Sequence, residues 1–287
     1  MKPPPFTYAR CATVDDALAE LAAHGERCKV LAGGQSLVPL MNLRMTNPER
    51  LVDINGLTAL DYVRVEDGIL HIGALARHTT LRDSDLVAEH CPLMNAAYQY
   101  VGHKPVRNRG TIGGNLSHAY PASEMPAVVL AVEATMVARS ASGERAIAAE
   151  DFFVGMLEPE LEPDELLVEI RIPVRPPGQG WSFLEVSPRK GDFALVGVGV
   201  TVNVQNDVCE TVRIAHCGVG DRARRVPEAE QSLLGQKPDE ALFRATGERA
   251  SQLVEPESDY HADASYRRDL VRTLTRRALV EAHERCG

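Results

Sequence analysis

Paired cysteines are missing from this 287-residue chain: its six thiols stand at 11, 28, 91, 209, 217 and 286, and none form a Cys-x-x-Cys pair. That spacing excludes a zinc or iron–sulfur site held by this chain and argues against a dense disulfide framework, leaving the thiols as reduced, small hydrophobes. The nine histidines show no His-x-His or His-x-x-x-His spacing, so a protein-held metal is not expected. Aromatic residues make up only 5%, too few for base-stacking platforms. Basic residues number 31 against 40 acidic, a net charge of −9, which opposes a nucleic-acid partner because that affinity comes from Lys and Arg. No apolar run reaches the ~18 residues of a membrane span, and the most apolar stretch, 125–138, carries Glu133. The opening MKPPPFTYAR has three prolines and no apolar signal-peptide core, so a soluble, cytoplasmic protein is expected. What is present is ordinary globular composition, 44% hydrophobic and 25% charged, with length for one large domain or two.

Local patterns predict the elements. Thr13 and Asp16 read as a capping signal before Val14, Ala17, Leu18, Leu21 and Ala22, giving a helix over about 14–24. Short strands follow at 29–32 and 51–54, then a hairpin, 63–65 with 69–72, around Glu66-Asp67-Gly68. Residues 79–102 read as two helical stretches separated near Pro92, and 107–115 as a loop too rich in glycine and polar groups for a helix. A hairpin over 136–148 and a strand over 166–173 complete the first part. Arg175-Pro176-Pro177-Gly178-Gln179-Gly180 is the best linker. Beyond it come strands at 181–186, 194–204 and 208–217, then helices near 226–234, 239–251 and 264–284. The last is expected to bury Tyr266, Leu270, Leu274 and Ala278, with Arg267, Arg268, Arg272, Arg276 and Arg277 on a solvated face or a subunit contact. Strands followed by helices give an α+β arrangement.

The chemistry concentrates in two glycine pairs, Ala32-Gly33-Gly34-Gln35-Ser36 and Thr111-Ile112-Gly113-Gly114-Asn115. Adjacent glycines flanked by small polar residues let backbone amides approach a diphosphate without a lysine, which suits an acidic chain. Neither matches a Walker loop or the Gly-x-Gly-x-x-Gly fingerprint, and each taken alone reads as a tight turn, so composition stops at a possible anion site. Arg107 and Arg109 flank the second pair as phosphate partners or surface charges. His118 lacks a visible carboxylate partner for general-base work, and Ser36 lacks a nucleophile-elbow context. Trp181 reads as a core or domain-interface anchor.

The run from Leu31 to Asn42 with Arg44, followed by Arg107-Asn108-Arg109-Gly110-Thr111-Ile112-Gly113-Gly114-Asn115-Leu116 and by Gly191-Asp192-Phe193-Ala194, closely resembles the FAD-binding medium subunit of molybdenum hydroxylases, the carbon monoxide dehydrogenase and xanthine dehydrogenase family. The resemblance covers essentially the whole length. It implies a two-lobed FAD-binding domain of the vanillyl-alcohol-oxidase type over 1–177, with lobes about 1–55 and 56–177, then a C-terminal α+β domain over 178–287. It places FAD against Ala32, Gly33, Gly34, Gln35, Ser36 and Leu37 in one lobe and Thr111, Ile112, Gly113, Gly114 and Asn115 in the other. Glu124 falls where relatives carry an acid that contacts FAD, Leu167 on a strand whose backbone approaches the cofactor, and Phe193 where a side chain lies against the isoalloxazine.

The sequence departs from the family at Tyr120, where an aspartate is common, and at Glu185, near a frequent lysine, which puts a cation contact to the flavin from that strand in doubt. By resemblance, no substrate-oxidising residue belongs to this chain. The resemblance implies a molybdenum cofactor on a large partner subunit and two [2Fe–2S] clusters on a small one. Electrons would reach FAD from the clusters and leave for an external acceptor, in a dimer of heterotrimers. The competing readings are a stand-alone FAD-dependent oxidase or reductase and a cofactor-free assembly subunit. Substrate (carbon monoxide, N-heterocycle or aldehyde) and acceptor (quinone, NAD or oxygen) stay open.

Overall fold

The computed structural model describes residues 1–286. Its first unit is a small parallel sheet in which Arg50–Asp53 lies between Thr7–Arg10 and Cys28–Leu31. Helix Val14–His24 covers that sheet. Its first turn is closed by a capping box, with the Thr13 hydroxyl accepting from the Asp16 amide at 3.1 Å and the Asp16 carboxylate accepting from the Thr13 amide at 2.9 Å. Ala17, Leu18 and Leu21 point into a core shared with Val52, Ile54 and Val168. The second unit is an antiparallel sheet in the order Val63–Glu66, Ile69–Gly73, Leu166–Pro173, Thr135–Ser140, Gly143–Ala148. After the Arg175–Gln179 connection, Gly180–Val186, Val196–Gln205 and Val208–Cys217 form a third, antiparallel sheet, with Arg224–Arg225 at its edge. Helix Ala264–Glu284 packs on it, and helix Glu240–Leu253 packs on that helix. The class is α+β, two sheets with helices followed by a C-terminal sheet with helices.

Helix Glu124–Ala131 joins the halves. Every one of its residues is buried, because it lies beneath the third sheet with helix Pro92–Ala97 against it as well. Met125, Val128, Val129 and Leu130 each gain about 1.5–3 kcal/mol from that burial. A helix apolar on all sides has no hydrophobic period, so the pattern that reveals surface helices could not reveal this one.

Three expectations need correction. The glycine-rich stretch 107–115 is not a loop: it holds the end of helix Lys104–Arg109 and the start of helix Ile112–His118. Thr111 caps the second of these by accepting from the Gly114 amide at 3.1 Å. Gly113 is needed because a Cβ there would stand 2.6 Å from Ala74 Cβ. Residues 79–102 hold three helices, His78–Arg82, Asp85–His90 and Pro92–Ala97, because Ser84 starts a new cap with its hydroxyl on the Val87 amide at 3.4 Å. The C-terminal helix buries Arg267, Val271, Leu274, Thr275, Ala278, Leu279 and Ala282, while Tyr266 is exposed. Its buried face is rotated from the expected one, and Arg267 is no surface charge. Its guanidinium donates to the carbonyls of Leu195 at 2.6 Å and Gly218 at 3.3 Å and pairs with Asp259 at 2.7 Å.

Candidate functional site

The first glycine turn begins where the parallel ladder ends, at Leu31 opposite Asp53. Gly34 takes a φ of 71°, a left-handed conformation suited to glycine. The amides of Gly33, Gly34, Gln35, Ser36 and Leu37 have no hydrogen-bond partner among the described residues, while the chain resumes helical bonding at Val38, which donates to the Gly34 carbonyl at 3.1 Å. Successive free amides around such a turn form an anion-binding concavity. The Gln35 side chain folds back on the Gly33 carbonyl at 3.1 Å and leaves them open.

The second turn is built differently. The Ile112 amide is taken by the Ala76 carbonyl at 3.1 Å, Gly113 by Ala74 at 2.9 Å, and Gly114 by the Thr111 hydroxyl. Ile112 is fully buried in the core. In the second turn only the Thr111 amide is without a hydrogen-bond partner among the described residues, because the Asn115 amide donates to the Thr111 carbonyl at 3.0 Å as well. The second supplies a backbone surface, with the Asn115 amide side chain bonded to the Ser123 hydroxyl at 2.9 Å.

The two turns touch. A Cβ on Gly33 would meet the Arg109 carbonyl and stand 2.8 Å from Gly110 Cα, and one on Gly114 would stand 3.8 Å from Ala32 Cβ. A polar strap binds the two turns together. Asn55 Nδ2 donates to the Ala32 carbonyl at 2.6 Å, and Asn55 Oδ1 accepts from Arg77 at 2.9 Å. Arg77 also donates to the Arg109 carbonyl. Asp53 anchors Asn55 by accepting its amide at 2.8 Å. Burial alone would raise the Asp53 carboxyl, but hydrogen bonds from Tyr8 and Asn55 outweigh it and hold the group below the usual carboxylate range. Sequence reading missed Asn55 and Arg77; a lone Asn-Gly and a lone Arg carry no pairing signal. Arg107 turns away, donating to the carbonyls of Val101 at 3.0 Å and Gly102 at 2.6 Å.

From Asn115 the chain leads through His118 and Tyr120 to an aromatic contact. Tyr120 packs on Phe193 with ring centroids 4.5 Å apart, and Phe193 remains 57% exposed, facing outward. His118 lies parallel to Tyr120 at 6.1 Å with no carboxylate beside it, and burial lowers its pKa. Leu167 is buried on strand Leu166–Pro173 beside a register shift between Leu167 and Glu169, and helix Ile112–His118 packs on that strand. Glu124, only 4% exposed, opens the buried helix. Trp181 packs against the first-domain core with the Arg285 guanidinium 4.2 Å from its ring centroid. Among the described residues no cluster of His, Cys, Asp and Glu could hold a metal ion, and no helix is long and apolar enough to cross a membrane.

A turn of free amides backed by a second glycine segment fits a diphosphate, and the exposed aromatic edge fits a planar ring. Comparison with known proteins gives the family. Residues 4–175 match the FAD binding domain in molybdopterin dehydrogenase, and residues 181–282 the CO dehydrogenase flavoprotein C-terminal domain. The chain is 40% identical to the caffeine dehydrogenase subunit beta of Pseudomonas sp. (strain CBB1), over 99% of this chain and 97% of that one. Identity and coverage are the same for the 6-hydroxypseudooxynicotine dehydrogenase complex subunit alpha of Paenarthrobacter nicotinovorans. Its structure superposes on a chain of carbon monoxide dehydrogenase from Hydrogenophaga pseudoflava, solved without the Mo-pyranopterin moiety of its molybdenum cofactor, with a TM-score of 0.98 at 36% identity over 100% of both chains. With both halves matched in order and full-length relatives on either comparison, the chain belongs to the FAD-binding subunits of the molybdenum hydroxylase dehydrogenases, and its cofactor is FAD.

Proposed function

We propose that this chain holds FAD between the two glycine turns and Phe193 and serves as the electron-transfer subunit of a heterotrimeric molybdenum hydroxylase. The observation that carries the reading is the run of free amides from Gly33 to Leu37, pressed against the second turn. Those amides hold the diphosphate without a lysine, in keeping with the net charge of −9. Thr111, Gly114 and Asn115 form the opposite wall. Glu124 and the backbone of Leu167 meet the cofactor further in, and Phe193 lies against its ring. Bound there, FAD supplies the exchange of electrons between one-electron donors and an acceptor.

The partners are a large subunit with the molybdenum cofactor, where substrate is oxidised, and a small subunit with two [2Fe–2S] clusters, assembled as a dimer of heterotrimers in the cytoplasm. An external acceptor reaches the flavin from the side that Phe193 leaves open. Purification from the native host tests this. The chain should be yellow, carry about one flavin per chain, and co-purify with two other subunits containing molybdenum and iron. A flavin-loaded chain found alone with its own oxidase activity would favour a stand-alone enzyme, and a colourless chain would favour an assembly subunit.

The strap between the turns makes a separate prediction. Arg77→Ala removes a charged donor from Asn55 and from the Arg109 carbonyl. Such bonds contribute about 1.5–3 kcal/mol each when buried, and the half-exposed geometry here reduces that. FAD affinity should fall about tenfold, read by flavin fluorescence titration. An unchanged affinity would show that the strap does not set the spacing of the turns.

A further inference from the structure

A cavity of about 240 Å³ lies in the seam between the two halves of the chain, with no residue of either glycine turn in its wall. One wall is the third sheet. Trp181 and Arg213 are both ladder partners of Thr201, so the three stand in one cross-strand row. That row is on the face that meets helix Glu124–Ala131, where the Thr201 hydroxyl donates to the Ala131 carbonyl at 3.2 Å. Neighbouring strands lie about 4.8 Å apart, which sets the backbones of Trp181 and Arg213 about 10 Å from each other across this wall. The opposite wall comes from the first half: Leu93, the Val132-Glu133 corner after the buried helix, and the connection that carries Arg175. The connection is pinned, with the Arg175 amide donating to the His90 carbonyl at 3.0 Å and the Val174 amide to Gly68 at 2.9 Å.

Arg175 is half-buried, and its one side-chain hydrogen bond among the described residues runs from Nη1 to the Gln179 carbonyl at 2.8 Å. Nε is buried with no partner, Nη2 has none either, and no carboxylate among the described residues pairs with the group. Nε and Nη2 form the edge of a guanidinium that grips a carboxylate through two parallel bonds, so in Arg175 that edge is unused. Arg213 adds a second cation. Its Nη1 donates to the Val212 carbonyl at 2.9 Å, and Glu133 Oε1 stands 2.8 Å from its Nε without lying along the N–H. Glu133 is the one acid in the wall and is divided, since it also pairs with Arg225 at 3.6 Å. Two guanidinium groups thus line the cavity against one shared carboxylate. Leu93, Val132 and Trp181 supply an apolar side, while Asn203 and Thr211 bond each other at 2.9 Å. At about 30 Å³ per water the volume equals about eight waters, room for one ring and a carboxylate but not for a nucleotide.

We propose that this cavity binds a small aromatic carboxylate, with the anionic end on the free edge of Arg175 and the ring between Leu93 and Trp181. Such a ligand touches both halves and their connection at once, so its binding ties their positions together. Its charge offsets an arginine that the chain leaves without an acid, and its ring covers the apolar side. Nothing in this site depends on where FAD lies.

Trp181 is the one tryptophan of the chain and lines the cavity, so its fluorescence reads binding there. Benzoate titrated into the full-length chain should change that fluorescence with a Kd of about 1 mM or lower. At tenfold excess over Kd it should raise the melting temperature by about 2–4 °C. Benzamide, which has the shape without the charge, and inorganic phosphate, which has the charge without the ring, should each bind at least about tenfold more weakly. Arg175→Gln should weaken benzoate at least about tenfold while leaving the ligand-free melting temperature within about 2 °C of wild type. No response to benzoate at about 20 mM, equal binding of benzamide or phosphate, or wild-type affinity in Arg175→Gln overturns the site. Should that variant fail to fold, the three ligands compared on the wild type still decide. The same titration on the chain assembled with its partner subunits separates the sources of a carboxylate. A response in the lone chain that the assembly lacks overturns the free ligand and gives the cavity to an acidic side chain of a partner.

Discussion

Gly33→Ala should give a folded chain that no longer retains FAD. Gly33 is not among the glycines with positive φ, so alanine fits the backbone and the whole effect is steric. The new Cβ would run into the Arg109 carbonyl and stand 2.8 Å from Gly110 Cα and 2.9 Å from Arg109 C. That side cannot yield. The Arg109 carbonyl accepts from Arg77, the Gly110 amide donates to Val106 at 2.7 Å, and the Gly110 carbonyl accepts from His78 at 3.1 Å. The first turn must move instead, and its free amides move with it. Overpacking of this kind costs about 1–3 kcal/mol. Because several amides lose their alignment at once, affinity should drop about 100-fold, near 2.7 kcal/mol. Gly56→Ala is the control, since nothing lies nearer its added Cβ than 3.8 Å. Flavin absorbance of the purified variants and fluorescence titration decide the matter: full retention by Gly33→Ala would remove the contact between the turns as the determinant of binding.

Arg267→Ala should lower stability more than any surface arginine replacement. Arg267 is 6% exposed and ties the Leu195 and Gly218 carbonyls to Asp259. Truncation leaves those carbonyls unpaired in a closed seam, at about 1–3 kcal/mol per group. A loss of about 3 kcal/mol in a chain of this size lowers the melting temperature by roughly 6–12 °C, measurable by calorimetry. Arg268→Ala, on the same helix but exposed, should change it by less than about 2 °C. Leu195 and Gly218 also adjoin the bonds that hold Pro121 and Ala122. FAD affinity should therefore weaken, but less than in Gly33→Ala, which disturbs the amides themselves. Equal melting temperatures for the two arginine variants would contradict the buried role of Arg267.

Much of the fold was legible where neighbours in the chain decide the outcome. Strand Leu166–Pro173 followed from its alternating Val168, Ile170 and Ile172, and helix Val14–His24 from its capping box. The glycine pairs stood out because small residues in that arrangement are rare outside turns and close approaches. Other features were hidden for physical reasons. Helix Glu124–Ala131 is buried on every side and shows no period. Helix Ile112–His118 looks too glycine-rich until Ala74 is seen to exclude a Cβ at Gly113. Glu185 was visible as a family departure, yet nothing in its flanking residues announces a buried, unpartnered carboxylate.

Composition and order alone singled out two glycine pairs in an acidic chain without paired cysteines as a possible anion site, and went no further. Only the folded arrangement decided which of their amides are available. An amide's capacity to bind a ligand depends on whether another carbonyl has already taken its proton, and the carbonyls of Ala74 and Ala76, distant in sequence from Gly113 and Ile112, take theirs while Gly33 through Leu37 keep their own.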